Sequence, residues 1–124
     1  MASKARQLAD FSDTSVRNET GTTYTLVFAD GGEIVTLNNS SAITVTIPTN
    51  ANVAFPIGTT VKLLQLGAGT VTVAGASGVT VNGVTLSIAQ QYGELFCRKI
   101  ATNTWIVSGG SSAAAAVAYS SVAS

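Results

Sequence analysis

This sequence predicts an all-β domain, and three observations carry the prediction. Short runs of Thr, Val and Ile recur, with apolar and polar residues alternating inside them. Gly, Asn, Asp and Ser punctuate the runs, as tight turns require. Beyond Thr20 no stretch keeps the apolar periodicity of a helix. The segment Tyr24–Ile47 sets the pattern. Three runs there are separated by Asp30-Gly31-Gly32 and by Asn38-Asn39-Ser40-Ser41, and Ile43, Val45 and Ile47 alternate with Thr44 and Thr46. Such alternation buries one face of a strand.

Residues Met1 to Thr20 read as an N-terminal arm. Ser3 can cap a short helix from Lys4 to Phe11 that places Leu8 and Phe11 on one face. A helix this short needs a surface to dock on. The arm is therefore either an anchor, with Leu8, Phe11, Lys4 and Arg6 as the attachment residues, or a frayed terminus.

Strands then follow in order. The first is expected over Thr22–Ala29, with Tyr24, Leu26 and Phe28 on one face, the second over Glu33–Leu37 and the third over Ala42–Ile47. Pro48 ends the ladder because proline donates no backbone hydrogen bond. A loop with Val53 and Phe55 as apolar plugs leads to Thr59–Leu66, and Gly67-Ala68-Gly69 turns the chain into Thr70–Ala74, with Val71 and Val73 inward. Val79–Val81 and Val84–Ile88 flank Asn82-Gly83, the strongest two-residue hairpin signal in the chain. Tyr92–Ile100 and Thr104–Ser108, joined at Thr102-Asn103, complete the set, with Trp105 and Val107 on one face.

About nine short strands joined by tight turns predict an antiparallel β-sandwich or a jelly-roll-like barrel. A β-solenoid has similar strand spacing, but no fixed repeat period is visible. The expected organisation is the arm (1–20), the β-sandwich module (21–109) and an Ala/Ser-rich low-complexity tail (110–124). The tail either stays linker-like or packs along another subunit through Val117, Tyr119 and Val122.

A chain of 124 residues can bury a core without a metal or disulfide. Hydrophobic residues make up 46% and charged residues 10%, with zero net charge, which gives no footprint for nucleic acid or an anionic membrane. Half of the charges lie before Thr20, and between Ala42 and Gly93 only Lys62 is charged. Depletion of charge marks interface cores, so burial against identical subunits is expected. The single cysteine and the polar N-terminus, which lacks a signal-peptide core, fit folding in a reducing cytoplasm.

No histidine is present to activate a serine or Cys97, and neither a His/Cys metal cluster nor a lysine-bearing phosphate loop can be assembled. Cys97 reads as a core or interface residue. Asp30, Glu33 and Glu94 are the carboxylates of the β region. Asp30 is explained by its Asp-Gly turn, Glu33 and Glu94 by solvent or by pairing with Arg98 or Lys99. No cofactor is expected, and the carboxylates leave glycoside hydrolysis as a remote alternative.

Tyr24-Thr25-Leu26, Ala29-Asp30-Gly31-Gly32, Thr44-Val45-Thr46-Ile47-Pro48, Phe55-Pro56-Ile57-Gly58-Thr59, Gln65-Leu66-Gly67-Ala68-Gly69-Thr70-Val71-Thr72 and Thr104-Trp105 occur in this order. Together they resemble a β-rich module of structural proteins in tailed-bacteriophage virions. The resemblance implies a homotrimer and no catalytic residues. Since the chain holds little else, it implies a small capsid decoration (cement) protein, made in the host bacterial cytoplasm and assembled onto the virion against the major capsid protein. A short tail fibre or adhesin binding a host surface glycan is the alternative. A polysaccharide depolymerase is the alternative from another class.

Overall fold

The computed structural model describes residues 16–88 and 90–109. Nine strands are present: β1 (Val16–Glu19), β2 (Thr23–Thr25), β3 (Ile34–Leu37), β4 (Ile43–Ile47), β5 (Thr60–Gln65), β6 (Val71–Gly75), β7 (Thr80–Gly83), β8 (Glu94–Ala101) and β9 (Thr104–Gly109). The all-β expectation and most strand positions hold. The sandwich or jelly-roll barrel does not. Strands alternate between two sheets, one ordered β1-β3-β5-β8-β9-β7 and the other β2-β4-β6. β1 pairs in parallel with β3 and β3 with β5, while β2 pairs in parallel with β4 and β4 with β6. The chain thus winds through three coils of a β-solenoid.

The sequence misleads for a physical reason. Alternation says that one face of a strand is buried, and it says nothing of which strand lies alongside. Ile43, Val45 and Ile47 are buried as expected. Their neighbours are Val71, Val73 and Gly75 of the next coil rather than a hairpin partner. The repeat is also uneven. Val16 lies beside Ile34 and Thr23 beside Thr44, separations of 18 and 21, whereas Ile34 lies beside Lys62 and Ile43 beside Val71, separations of 28. Residues 48–59 make one long corner, and this hides the period.

The opposite corners are short and stack on one another. Asn38 N–H donates to Glu19 O (2.9 Å), Leu66 N–H to Leu37 O (2.8 Å) and Gly69 N–H to Asn39 O (2.8 Å). Asn39 fixes the middle corner: its Nδ2 donates to Thr20 O (2.8 Å) and its Oδ1 accepts from Ser41 N–H (2.8 Å). Gly69 is required here by proximity, since a Cβ on it would lie 1.9 Å from Ser41 O.

The solenoid ends by reversing direction. β8 runs antiparallel to β5, and β9 antiparallel to β8. On the other sheet, residues 84–88 run along the edge of β6, with Val73 N–H donating to Leu86 O and Ile88 N–H to Val71 O, both at 2.8 Å. The expected hairpin at Asn82-Gly83 is absent. Both residues belong to β7, which pairs in parallel with β9. The segment Val84–Ile88 makes only the bridge Thr72–Ser87. Gly83 is needed because a Cβ there would meet Val107 O at 2.4 Å.

Two further expectations shift. Val16–Glu19, assigned to the arm, is a strand of the first coil, stabilised by pairing with β3. Phe28 belongs to a single 3-10 turn, Phe28–Asp30, and is exposed rather than inward. The Lys4–Phe11 helix and the 110–124 tail lie outside the described residues.

The role of Gly83 is open to test. Gly83→Val should cost about 1–3 kcal/mol by forcing β7 away from β9. Asn82→Ala, at an exposed position, should change stability by less than about 0.5 kcal/mol. Thermal and urea denaturation of both variants would measure this. Equal losses at the two positions would instead indicate a two-residue turn.

Candidate interaction surfaces

Three surfaces of the solenoid carry the features that bear on function. The first is the outer face of the β2-β4-β6 sheet. Inward residues Val45 and Val73 fill the core, so their neighbours point outward. Thr23, Thr44 and Thr72 form one row across the sheet, and Thr25, Thr46 and Ala74 the next. The three strands contain no charged residue. Thr72 Oγ1 and Ser87 Oγ share a hydrogen bond (3.0 Å), so the row is completed by the segment that covers β6.

The second surface is the outer face of the larger sheet, which mixes charge with apolar groups. Lys62 Nζ lies 3.4 Å from Glu94 Oε2 and 5.2 Å from the centre of the Phe96 ring. Glu94 thus faces solvent, one of the two expectations, and the cation it pairs with is Lys62 rather than Arg98 or Lys99. Arg98 is exposed, and its Nε donates to Thr60 Oγ1 (3.3 Å). Lys99 is buried at 2% exposure. Its Nζ donates to Asn50 Oδ1 and to Phe55 O (2.7 Å), tying the long corner to β8.

The third surface is the end of the first coil. Asp30 was expected to serve its turn alone, yet it is fully buried. Its Oδ2 accepts from Tyr24 Oη (2.6 Å) and from Val27 N–H (2.9 Å). Its Oδ1 has no aligned donor and is compensated by charge, with Arg17 Nε at 2.8 Å. Burial, and then the hydrogen bond to Asp30, push the Tyr24 hydroxyl well above its ordinary pKa. This carboxylate joins β1, β2 and the 3-10 turn. Beside it Phe28, 63% exposed, stacks on Phe55 with centroids 5.9 Å apart, and Phe55 meets Trp105 edge-on at 5.5 Å. Phe28, Phe55, Pro56 and Gly31 line an open cleft of about 450 Å³.

The structure places the remaining candidates as follows. Leu8, Phe11, Lys4 and Arg6 lie outside the described residues. Cys97 is fully buried, and burial pushes its thiol up to about 12. Trp105 is buried, while Tyr92 is exposed with φ 71°. Among the described residues, no three His, Cys, Asp or Glu side chains come together as a metal site would require. A scan against family models and searches of curated proteins and of solved structures found no match. Sequence reasoning missed the buried roles of Asp30 and Lys99. The apolar neighbours of Lys99 in β8, Cys97 and Leu95, lie at the same two-residue spacing and were the available signal.

Two outcomes follow from this chemistry. Tyr24→Phe removes a donor from a buried carboxylate and should cost about 1–3 kcal/mol in urea denaturation. A thiol reagent at neutral pH should leave Cys97 unmodified in the folded protein and label it fully once the chain is unfolded. Rapid labelling of the native protein would mean that β8 opens.

Proposed function

We propose that the chain is a non-enzymatic structural protein of a bacteriophage virion, a homotrimeric capsid decoration protein that stabilises the shell. The virion assignment rests on the ordered motifs from Tyr24 to Trp105. The observation that supports the trimer is the charge-free threonine face of the β2-β4-β6 sheet. Charge-poor, regular surfaces suit the centre of a subunit interface. Threonine hydroxyls there remain hydrated until copies meet. Decoration would act by adding buried area across neighbouring shell subunits. The partner is the major capsid protein, and attachment is through the segment that precedes Val16. Because β1 occupies Val16–Glu19, a truncation that tests attachment must stop at residue 15.

The Phe28–Phe55 stack beside the cleft favours one second reading, a short tail fibre or adhesin that holds a host surface glycan against the Phe28 ring. Position on the particle separates the two. Immunogold electron microscopy of intact particles should place the label across the head. Label confined to the tail tip would favour the adhesin, and an unlabelled particle would overturn both.

The trimer has its own test. Light scattering of the purified protein should give about three times the chain mass. Thr44→Glu, at an exposed position on the threonine face, should yield folded monomers because an unpaired carboxylate resists burial in an interface. A wild-type monomer throughout the micromolar range would remove the trimer. A trimer that tolerates Thr44→Glu would place the interface on another face.

Attachment is tested separately. Removing residues 1–15 should leave a folded trimer that no longer co-sediments with particles lacking the protein. Undiminished binding would put attachment on the described solenoid or the tail.

A further inference from the structure

Asn82-Gly83 makes no turn in this fold, yet the pair has a chemistry of its own. Asn82 is the only asparagine of the chain followed by glycine. The backbone nitrogen after an asparagine can attack that side chain, and a glycine there puts no side chain in the way.

The pair lies on an edge strand. β7 pairs with β9 and has no strand on its other side among the described residues. Thr80 N–H donates to Asn103 O (2.8 Å). A parallel strand engages one neighbour through every second residue, so Thr80 and Asn82 bond to β9. The N–H groups of Val81 and Gly83 then point to the open edge. Asn82 itself is exposed, as is Ile106 beside it. Both the amide carbon and the nitrogen that would attack it are therefore within reach of water.

Closed β7 prevents the reaction all the same. Ring closure must bring Gly83 N alongside Asn82 Cβ, and an extended parallel strand, with ψ of about +115°, turns that nitrogen away. The backbone cannot rotate in place, because Gly83 is seated against β9: a Cβ on it would stand 2.4 Å from Val107 O. The reaction thus waits for β7 to leave β9. An edge strand of four residues with a single neighbour opens locally, without global unfolding.

We propose that Asn82 is a site of spontaneous deamidation gated by opening of β7, and that the product unlocks this edge. In the open strand, hydroxide takes the Gly83 N–H proton and Gly83 N bonds to Asn82 Cγ. The Cγ–Nδ2 bond breaks, and Nδ2 leaves as ammonia with a proton from water. Water then opens the cyclic imide at either carbonyl, giving aspartate or isoaspartate with no change of oxidation state. Isoaspartate routes the main chain through Cβ and Cγ, so β7 gains one backbone atom and Gly83 loses its register with Val107. Either product also adds a carboxylate to two strands that carry no charge. The modification goes beyond the virion reading and does not depend on it.

Peptide mapping of the full-length protein after storage in mildly alkaline buffer tests the site, with isoaspartate detected by isoaspartyl methyltransferase labelling. Asn82 should convert before any other asparagine, and faster as pH rises. The native rate should be about tenfold or more below that of the chain unfolded in urea, because only the open fraction reacts. Asn82→Gln, whose extra methylene disfavours ring closure, should abolish the labelling. No isoaspartate at Asn82 in the native protein, or formation as fast as in urea, would overturn the gated site. Amide hydrogen exchange tests the consequence. Protein carrying isoaspartate at Asn82, separated by ion exchange, should exchange the Trp105 and Val107 amides about tenfold or more faster than unmodified protein. Unchanged exchange there would overturn the unlocking. Neither measurement involves the virion, so failure of this inference and failure of the virion reading are distinguishable.

Discussion

The parallel ladder between successive coils constrains the rest of this molecule. From β1 to β6 each strand finds its parallel partners one coil away, so such a strand cannot pair until the chain has turned two corners and come back. Corners must then stack closely enough to keep register. This is why backbone contacts, not turn conformation, determine several small residues. Gly69 sits where Ser41 O approaches, and Gly83 where Val107 O does. Neither has a positive φ. Inside the ladder Val35, Leu63 and Leu95 stack in one row. Each such side chain contributes about 1.5–3 kcal/mol when buried. The core is thus a set of columns, and a shift in register would displace a whole column.

Columns of aliphatic residues fill the coils but do not hold the wide corners. Polar groups do that. Lys99 reaches from β8 to Asn50 and Phe55 O in the long corner, and Gln65 donates to Gly67 O (3.2 Å) and accepts from Val71 N–H (3.1 Å) across a short one. Asp30 gathers β1, β2 and the 3-10 turn. A buried charge is tolerated only when paired or well hydrogen-bonded, so these groups favour one corner geometry over its neighbours. Arg17 is 41% exposed, and solvent screening weakens its hold on Asp30. The two hydrogen bonds to Oδ2 therefore matter more than the ion pair.

Strands were legible because burial on one face writes a two-residue alternation into the sequence. Ile43, Val45 and Ile47, Val71 and Val73, and Trp105 and Val107 all lie inward as that alternation requires. Partner direction was not legible, because a sandwich and a solenoid bury the same alternating positions. The corner lengths compounded this by spreading the coil repeat from 18 to 28 residues. Asn82-Gly83 misled because a glycine admitted for close backbone approach is indistinguishable in sequence from one admitted for a turn. Asp30 and Lys99 misled because charge normally implies solvent. At the surfaces, charge depletion was legible in the sequence. The threonine rows it belongs to emerge only when β2, β4 and β6 are brought side by side.

Those rows pose a problem that their chemistry answers. An uncharged sheet is the kind of surface on which proteins pair indiscriminately, and charge is the usual deterrent. Here threonine methyl groups keep β-propensity high while their hydroxyls can hydrogen-bond to water or to neighbouring side chains. Such a face is soluble when exposed and loses no charge when covered. Covering it with an identical face costs only the water on those hydroxyls, which a regular array can exchange for hydrogen bonds between subunits. A charged face in the same position would impose a desolvation penalty of several kcal/mol per ion. Hydroxyls cannot help at the sheet edges, where among the described residues β1, β2 and β7 have no neighbouring strand on their outer side and unpaired backbone groups invite one.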